Sequence, residues 1–332
     1  MNTGNARVYR GTARNLDFLA RRLQAGDVVG VPTETVYGLA ANALDARACA
    51  KIFRAKGRPA EDPLIVHIHS VTQLDLICQP NKTALRLAQK FWPGALTLVL
   101  PKKKSIPDIV TAGRDSVAVR MPRHPLFRRL LKLAGLPLAA PSANPFGYIS
   151  PTTADHVRQG LGKKIRHILD GGPAQIGLES TIVDLRDPKK PAILRPGAVT
   201  ATDLAHALGR TLPVARSIRV KAPTTGQIAP GLLARHYSPR TPLVLHPVMS
   251  ASAGASAAPA EAFVFLRRPK GPTAANVFWL DARGDLRGVA RRLFTTLRRL
   301  DEMKFKRIHV ELAPRHGIGL AINDRLRRAA AR

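Results

Sequence analysis

Cysteine is nearly absent from this chain: Cys49 and Cys78 are the only two in 332 residues. Two isolated cysteines make neither a disulfide framework nor a zinc knuckle, so both read as small core residues. Aromatic residues are scarce at 5%, and no RNA-stacking aromatic motif is visible. No run of eighteen or more apolar residues occurs, which excludes an ordinary membrane-spanning helix. The start, "MNTGNARVYRGTARN", lacks the apolar stretch of a secretory signal, so the expected location is cytoplasmic. Acidic residues are also few. Against 53 Lys and Arg stand 22 Asp and Glu, a formal net charge of +31. Such a field attracts nucleic acid, nucleotides or anionic lipid, unless the basic side chains are merely solvated. Much of the excess lies in "LRGVARRLFTTLRRLDEMKFKR" and "NDRLRRAAAR".

Familiar nucleotide and metal signatures are missing too. There is no GxxxxGK[ST] phosphate loop and no GxGxxG after a strand. HExxH and paired Cys or His ligands are absent, so no protein-borne metal site is expected. A nucleotide would have to be bound by other parts.

What is present is ordinary for a globular chain: 45% hydrophobic residues and a mean hydropathy of -0.08. Residues 13–24 read as an amphipathic helix, "DVVGVP" as a short strand, and Asp45 as the N-cap of "ARACAKIFRA". Strand-length apolar runs recur at "PLIVHI", "ALTLVL", "SVAVRM", "RHILD", "STIVDL" and "AILR". Helical patterns such as "KTALRLAQKF" and "HPLFRRLLKLA" fall between them. This mixture predicts one α/β domain with a twisted sheet over residues 1–216. A Pro- and Gly-rich linker spans 217–242, and a smaller α/β unit covers 243–332. Within that unit "MSASAGASAAPAE" is too poor in bulky residues to build a core. A helix is expected at 286–300, and a final one from Asn323.

The chemistry-bearing residues cluster at predicted strand ends. "FRAKGRP" places Lys56 and Arg58 on a turn broken by Gly57 and Pro59. An ammonium and a guanidinium fork are standard phosphate partners. "VPTETVYG" puts Thr33, Glu34 and Thr35 after a strand, with Gly38 expected to permit a tight bend. Short hydroxyls there bind a small polar ligand or cap their own backbone. His67 alternates with apolar neighbours, the pattern of a hydrogen-bonded core histidine. Arg120 ends the alternation of "SVAVRM", and Arg195 ends "AILR". Ser142, Asn144 and Ser150 lie in Pro-bounded turns, with Thr152 or Thr153 capping the next helix. Glu179, Ser180 and Thr181 open another strand.

In this order, "PTETVYGL", "KGRP…PLIVHI", "WPGALTLVL", "VAVRMP", "APSAN…SPT", "ESTIVDL" and "LRPGAV" resemble the YrdC-like threonylcarbamoyladenylate synthase family over residues 10–205. "APGLLARHYSPRTPL" and "GIGLAINDRLRRAA" resemble its two-domain subfamily. The linker reads "LLARHY" where the family often has a Met and a Lys, and the Ala/Ser stretch looks like a local expansion.

The resemblance implies a YrdC-like twisted mixed sheet followed by a smaller Rossmann-like α/β domain. It implies synthesis of threonylcarbamoyl-AMP from L-threonine, bicarbonate or CO2, and ATP, with Mg2+ accompanying the nucleotide. A separate transferase would carry the product to tRNA beside the anticodon, forming threonylcarbamoyladenosine. By the same resemblance Lys56 and Arg58 hold the ATP phosphates. Thr33, His67, Arg120 and Ser180 hold threonine, with Arg120 on its carboxylate. Ser116, Ser142, Asn144, Ser150 and Arg195 contact the nucleotide, and His236 and Tyr237 touch it from a linker folded over the pocket. The rival readings are a non-enzymatic module binding tRNA or double-stranded RNA, and carbamoyl transfer as in hydrogenase-maturation proteins. The latter carry zinc-finger cysteines that this chain lacks.

Overall fold

A computed structural model of the chain describes residues 5–215, 226–233, 236–250 and 260–331. Much of the predicted linker, at 217–225 and 234–235, and the Ala/Ser stretch at 251–259 lie outside the described residues.

The first domain is built on one mixed sheet of ten strands. In chain order these are β1 (Arg7–Arg10), β2 (Val29–Val31), β3 (Gly38–Asn42), β4 (Ile65–His67) and β5 (Leu96–Pro101). They continue with β6 (Ser116–Arg120), β7 (Leu138–Ala139), β8 (His167–Asp170), β9 (Thr181–Asp184) and β10 (Ala192–Arg195). The spatial order is β1-β8-β2-β3-β7-β4-β6-β5-β9-β10. Parallel pairs (β1 with β8, β2 with β8, β4 with β6, β5 with β9) alternate with antiparallel ones, which makes the sheet mixed. Most central strands are buried along their whole length, as their near-continuous apolar runs require.

The second domain has four parallel strands: β11 (Leu243–His246), β12 (Glu261–Arg267), β13 (Val277–Asp281) and β14 (Arg307–Glu311), ordered β11-β14-β12-β13. A helix over Leu286–Glu302 turns Leu293, Phe294, Leu297 and Leu300 onto this sheet. The last helix begins at Gly319, four residues before the expected Asn323. Ala321 and Ile322 extend its buried face, and only glycine fits at 319, where a Cβ would meet the Pro314 carbonyl oxygen at 2.0 Å. Among the described residues no helix is long and apolar enough to cross a membrane.

Local signals account for many helix ends. Thr12, Asp45, Asn81 and Thr153 each accept a main-chain N–H from the first turn that follows. Gly38 is not a bend, as its sequence context suggested. It opens β3, and a Cβ there would lie 3.2 Å from that of Ala140, so its small size serves a close strand approach.

The two domains share a core. Val36, Ile149 and Leu178 of the first belong to the same apolar cluster as Val289, Leu293 and Leu326 of the second. Polar contacts flank it. Asp301 accepts from the Tyr148 hydroxyl at 2.7 Å, the Thr241 N–H at 2.8 Å and Arg240 Nε at 3.2 Å. Arg298 donates to the carbonyls of Ile149 and Ser150 and lies over the Tyr148 ring. Arg298 is thus buried in the junction, while Arg287, Arg291 and Arg299 of the same helix stay exposed.

Burial pushes the Asp301 pKa up, but the hydrogen bonds from Thr241, Tyr148 and Arg240 outweigh it, and the net shift is downward. A carboxylate with a depressed folded pKa adds stability above its unfolded value of about 3.9 and loses it as pH falls through the folded value. Replacing Asp301 with Asn should lower the thermal midpoint at pH 7 and flatten its fall below about pH 4. Calorimetry from pH 7 to pH 3 checks this.

Candidate active site

The helix Ala46–Lys56 ends because Gly57 adopts a left-handed conformation, φ 64°. The Arg58 N–H then closes back on the Phe53 carbonyl at 3.0 Å. This cap turns both cations inward, so that Lys56 is 3% exposed and Arg58 7%. Lys56 Nζ donates to the carbonyls of Ser142 and Asn144, each at 2.6 Å. An ammonium has three donors, so one is left for a ligand. Arg58 donates through Nε to the Asp62 carbonyl and through Nη2 to that of Pro63, and it pairs with the Asp62 carboxylate at 2.9 Å. Burial, reinforced by Arg58 nearby, holds the Lys56 pKa well below its ordinary value. An incoming anion would raise it again.

Arg58 lines a cavity with Thr33, Thr35, Tyr37, Gly38, Ile65, His67, Arg120, Ala140, Ser142, Glu179, Ser180, Arg195, Gly231, His236 and Tyr237. Ile65 and His67 are two apart on β4 and both line it, so the cavity lies across a face of the sheet. Most of these groups stand at strand ends, as expected: His67, Arg120 and Arg195 close β4, β6 and β10, Ser180 immediately precedes β9, and Thr33 and Ser142 follow β2 and β7.

At one end Arg120 pairs with Glu34 at 2.6 Å, donates to Thr35 Oγ1 at 2.9 Å and to the Gly94 carbonyl at 3.1 Å. Burial works against the Glu34 charge, but Arg120 overrides it and holds that carboxyl below its ordinary range. Thr33 Oγ1 bonds the Thr35 hydroxyl at 2.8 Å and the Val36 carbonyl at 2.6 Å. His67 stands next to Arg120 in register. It is a buried histidine, as its pattern suggested, beside the main chain of Ile65 and Leu138, although Nδ1 makes no full hydrogen bond among the described residues. Burial first, and Arg120 second, push its pKa down to about 3, so the imidazole is neutral at physiological pH.

At the other end Arg195 donates to the Ser180 carbonyl and to that of Pro230. The Ser180 hydroxyl bonds Thr97 Oγ1 at 2.7 Å. Glu179 accepts from Ser150 Oγ at 2.5 Å. Pro230, Gly231, His236 and Tyr237 cover the cavity. Tyr237 takes a left-handed backbone, φ 63°, which is unusual for a residue with a side chain. Its ring stacks on Phe294 of the second domain with centroids 5.6 Å apart. The Tyr237 hydroxyl and His236 Nδ1 are buried without a hydrogen-bond partner among the described residues. Burial and the neighbouring Arg58 and Lys56 hold His236 neutral.

Of the expected site residues, Thr33, Arg58, His67, Arg120, Ser142, Ser180, Arg195, His236 and Tyr237 line this cavity. Lys56, Asn144 and Ser150 support its wall; the Asn144 side chain donates to Pro145 and Tyr148 carbonyls. Ser116 is elsewhere. It sits at the start of β6 in a separate cavity with Arg114, Arg186 and Gly226. Thr97, Asp62 and Arg325 were not singled out from the sequence. Their roles rest on partners distant in the chain or on burial, which no local motif records.

The fold and the site together define a two-domain α/β protein with inward-facing arginines in one cavity, under a cover at the junction of the domains. Residues 21–197 match the family described as telomere recombination, and residues 199–331 match the threonylcarbamoyl-AMP synthase C-terminal domain. The threonylcarbamoyl-AMP synthase of Pyrococcus abyssi is 40% identical over 320 residues, covering 93% of this chain and 92% of its own. That of Bacillus subtilis is 40% identical over 328 residues, covering 94% and 91%. The crystal structure of P. abyssi Sua5 complexed with L-threonine superposes with a TM-score of 0.88 at 37% identity, covering 97% of this chain and 96% of that one. This chain belongs to the two-domain threonylcarbamoyl-AMP synthase family.

The Glu34–Arg120 pair sets one end of the cavity. Glu34→Ala leaves a buried guanidinium without its carboxylate and should cost about 3–5 kcal/mol in urea unfolding. Glu34→Gln, which keeps an acceptor, should cost less.

Proposed function

We propose that this chain makes threonylcarbamoyl-AMP from L-threonine, bicarbonate or CO2, and MgATP, releasing pyrophosphate in the cytoplasm. The observation that carries the reading is the convergence of Arg58, Arg120 and Arg195 with Thr33, Ser142 and Ser180 on one closed cavity. A polyanion and an amino acid both suit that lining.

Arg120, fixed by Glu34 and Thr35, takes the threonine carboxylate, and Thr33 takes a polar group of the same substrate. Neutral His67 packs beside them without adding charge. The amine joins CO2 through a new N–C bond and loses a proton, giving an N-carboxylate. An oxygen of that carboxylate attacks the α-phosphorus, the bond to the β-phosphate bridging oxygen breaks, and pyrophosphate leaves with the electron pair. Starting from bicarbonate, that proton leaves in the one water released. No covalent enzyme intermediate is needed, so alignment and charge neutralisation supply the acceleration. Lys56, Arg58 and Arg195 hold the phosphates. Ser142, Asn144 and Ser150 shape the nucleotide side of the wall, and Ser116, at the start of β6, is a further nucleotide contact.

The carboxylates at the site, Glu34, Asp62 and Glu179, are engaged by arginines. Mg2+ accordingly enters on the nucleotide phosphates as part of the substrate. His236 and Tyr237 close over the nucleotide and exclude water. The product passes to a separate transferase acting on tRNA.

The test is threonine-dependent pyrophosphate release with bicarbonate and Mg2+, with serine as the comparison and mass spectrometry for the adenylate. Lys56→Ala should lower the rate at least about 100-fold, since one charge-stabilising donor is worth that much. Absence of the adenylate, with tight salt-dependent tRNA binding instead, would favour the RNA-module reading. Tyr237→Phe with His236→Ala should shorten the adenylate's lifetime. An unchanged lifetime would remove the cover from the mechanism.

A further inference from the structure

The cavity's free volume is about 50 Å³, whereas sites for molecules of nucleotide size run to about 300 Å³ or more. The cover therefore has to move for ATP to enter and has to be held when it returns. Arg195 holds the Pro230 carbonyl, Gly147 accepts the Ser238 N–H and Phe294 stacks on Tyr237, and a further set of contacts comes from the last helix of the second domain.

Arg328 Nη1 donates to the Leu233 carbonyl at 2.6 Å. The Arg328 carbonyl accepts the His236 N–H at 3.2 Å and the Ser238 hydroxyl at 3.4 Å. One turn earlier, Arg325 is fully buried and donates through Nε to Glu179 Oε2 at 2.8 Å. Its guanidinium carbon lies 5.4 Å from the centre of the Tyr237 ring. Asp324 ties the two together, accepting from Arg325 Nη1 at 2.6 Å and from Arg328 Nε at 3.1 Å. Positions 324, 325 and 328 share one helical face.

These contacts differ in kind. Arg325 meets Glu179, a charged group of the cavity wall that also holds Ser150. Arg328 meets only neutral groups of the cover. Hydrogen bonds to charged groups are the stronger class, so the wall contact outlasts the cover contact when the cavity opens.

We propose that this helix is a latch: Arg325 is a positioning residue for Glu179 and the Tyr237 ring, and Arg328 is the releasable catch that keeps the cover over a bound adenylate. The inference rests on the synthase reading and assigns the second domain a task within it. The product is a mixed anhydride of a carbamic and a phosphoric acid. Water cleaving it gives AMP and the N-carboxylate, and the N-carboxylate takes up a proton and separates into threonine and CO2. A cover released early thus turns the reaction into net conversion of ATP to AMP and pyrophosphate, with threonine regenerated.

The readout is the ratio of pyrophosphate released to adenylate recovered, in full-length protein quenched within the first turnovers. Arg328→Met should raise the ratio about threefold or more, the loss expected for one hydrogen bond, and Arg328→Lys should restore most of it. Arg325→Met should instead lower kcat and raise the KM for ATP, through a displaced Glu179. If Arg328→Met does not fold, Asp324→Asn frees the same guanidinium and should raise the ratio more modestly. An unchanged ratio in a folded variant overturns the latch, whether or not the thermal midpoint falls, because a helix that merely props the domain lowers rate and stability without uncoupling them. If the wild-type protein makes no threonine-dependent pyrophosphate, the synthase reading itself has failed.

Discussion

The Glu179 carboxylate accepts the Ser150 hydroxyl on one oxygen and Arg325 on the other, and the rest of the site is arranged around that junction. Ser150 and Glu179 belong to the first domain, and Arg325 to the last helix of the second. Burying a guanidinium is tolerable only with a well-placed acceptor. The second domain is therefore seated by a charge requirement as well as by the apolar cluster it shares with Val36, Ile149 and Leu178.

The same requirement explains how so basic a chain is built. With 22 acids against 53 bases, carboxylates are scarce, and three buried ones stand at the cavity, each beside an arginine: Glu34 with Arg120, Asp62 with Arg58, and Glu179 with Arg325. Lys56, Arg195 and Arg298 are held mainly by main-chain carbonyls. Carbonyls satisfy donors without cancelling charge, so the cavity keeps a positive field suited to a polyanion. His67 and His236, held neutral by burial and by those cations, fill space beside it without adding to the charge.

Several expectations were correct for local reasons. Asp45 and Thr153 cap their helices because a side-chain oxygen reaches an N–H two or three residues on. Gly57 ends its helix because it tolerates a positive φ. Others failed where a partner lay far along the chain. Gly38 looked like a bend until β7 was packed against it. Arg298 looked like part of a solvated basic face until Tyr148 and the carbonyls of Ile149 and Ser150 came beneath it. Ser116 lies on the same strand as Arg120 but lines a separate cavity.

By itself the sequence determined many of the strands and helices, that two α/β units are present, and that a set of arginines and short hydroxyls recurs beside turns. Those are consequences of periodicity, capping and backbone preference, all of which act within a few residues. Only the tertiary structure decided that Arg58, Arg120 and Arg195 line one cavity, and that Glu179 meets Arg325, 146 residues away. It likewise decided that Tyr237 is held against the second domain by Phe294 and Arg325. Burial and ion pairing depend on which surfaces are brought together, and a linear pattern does not encode that geometry.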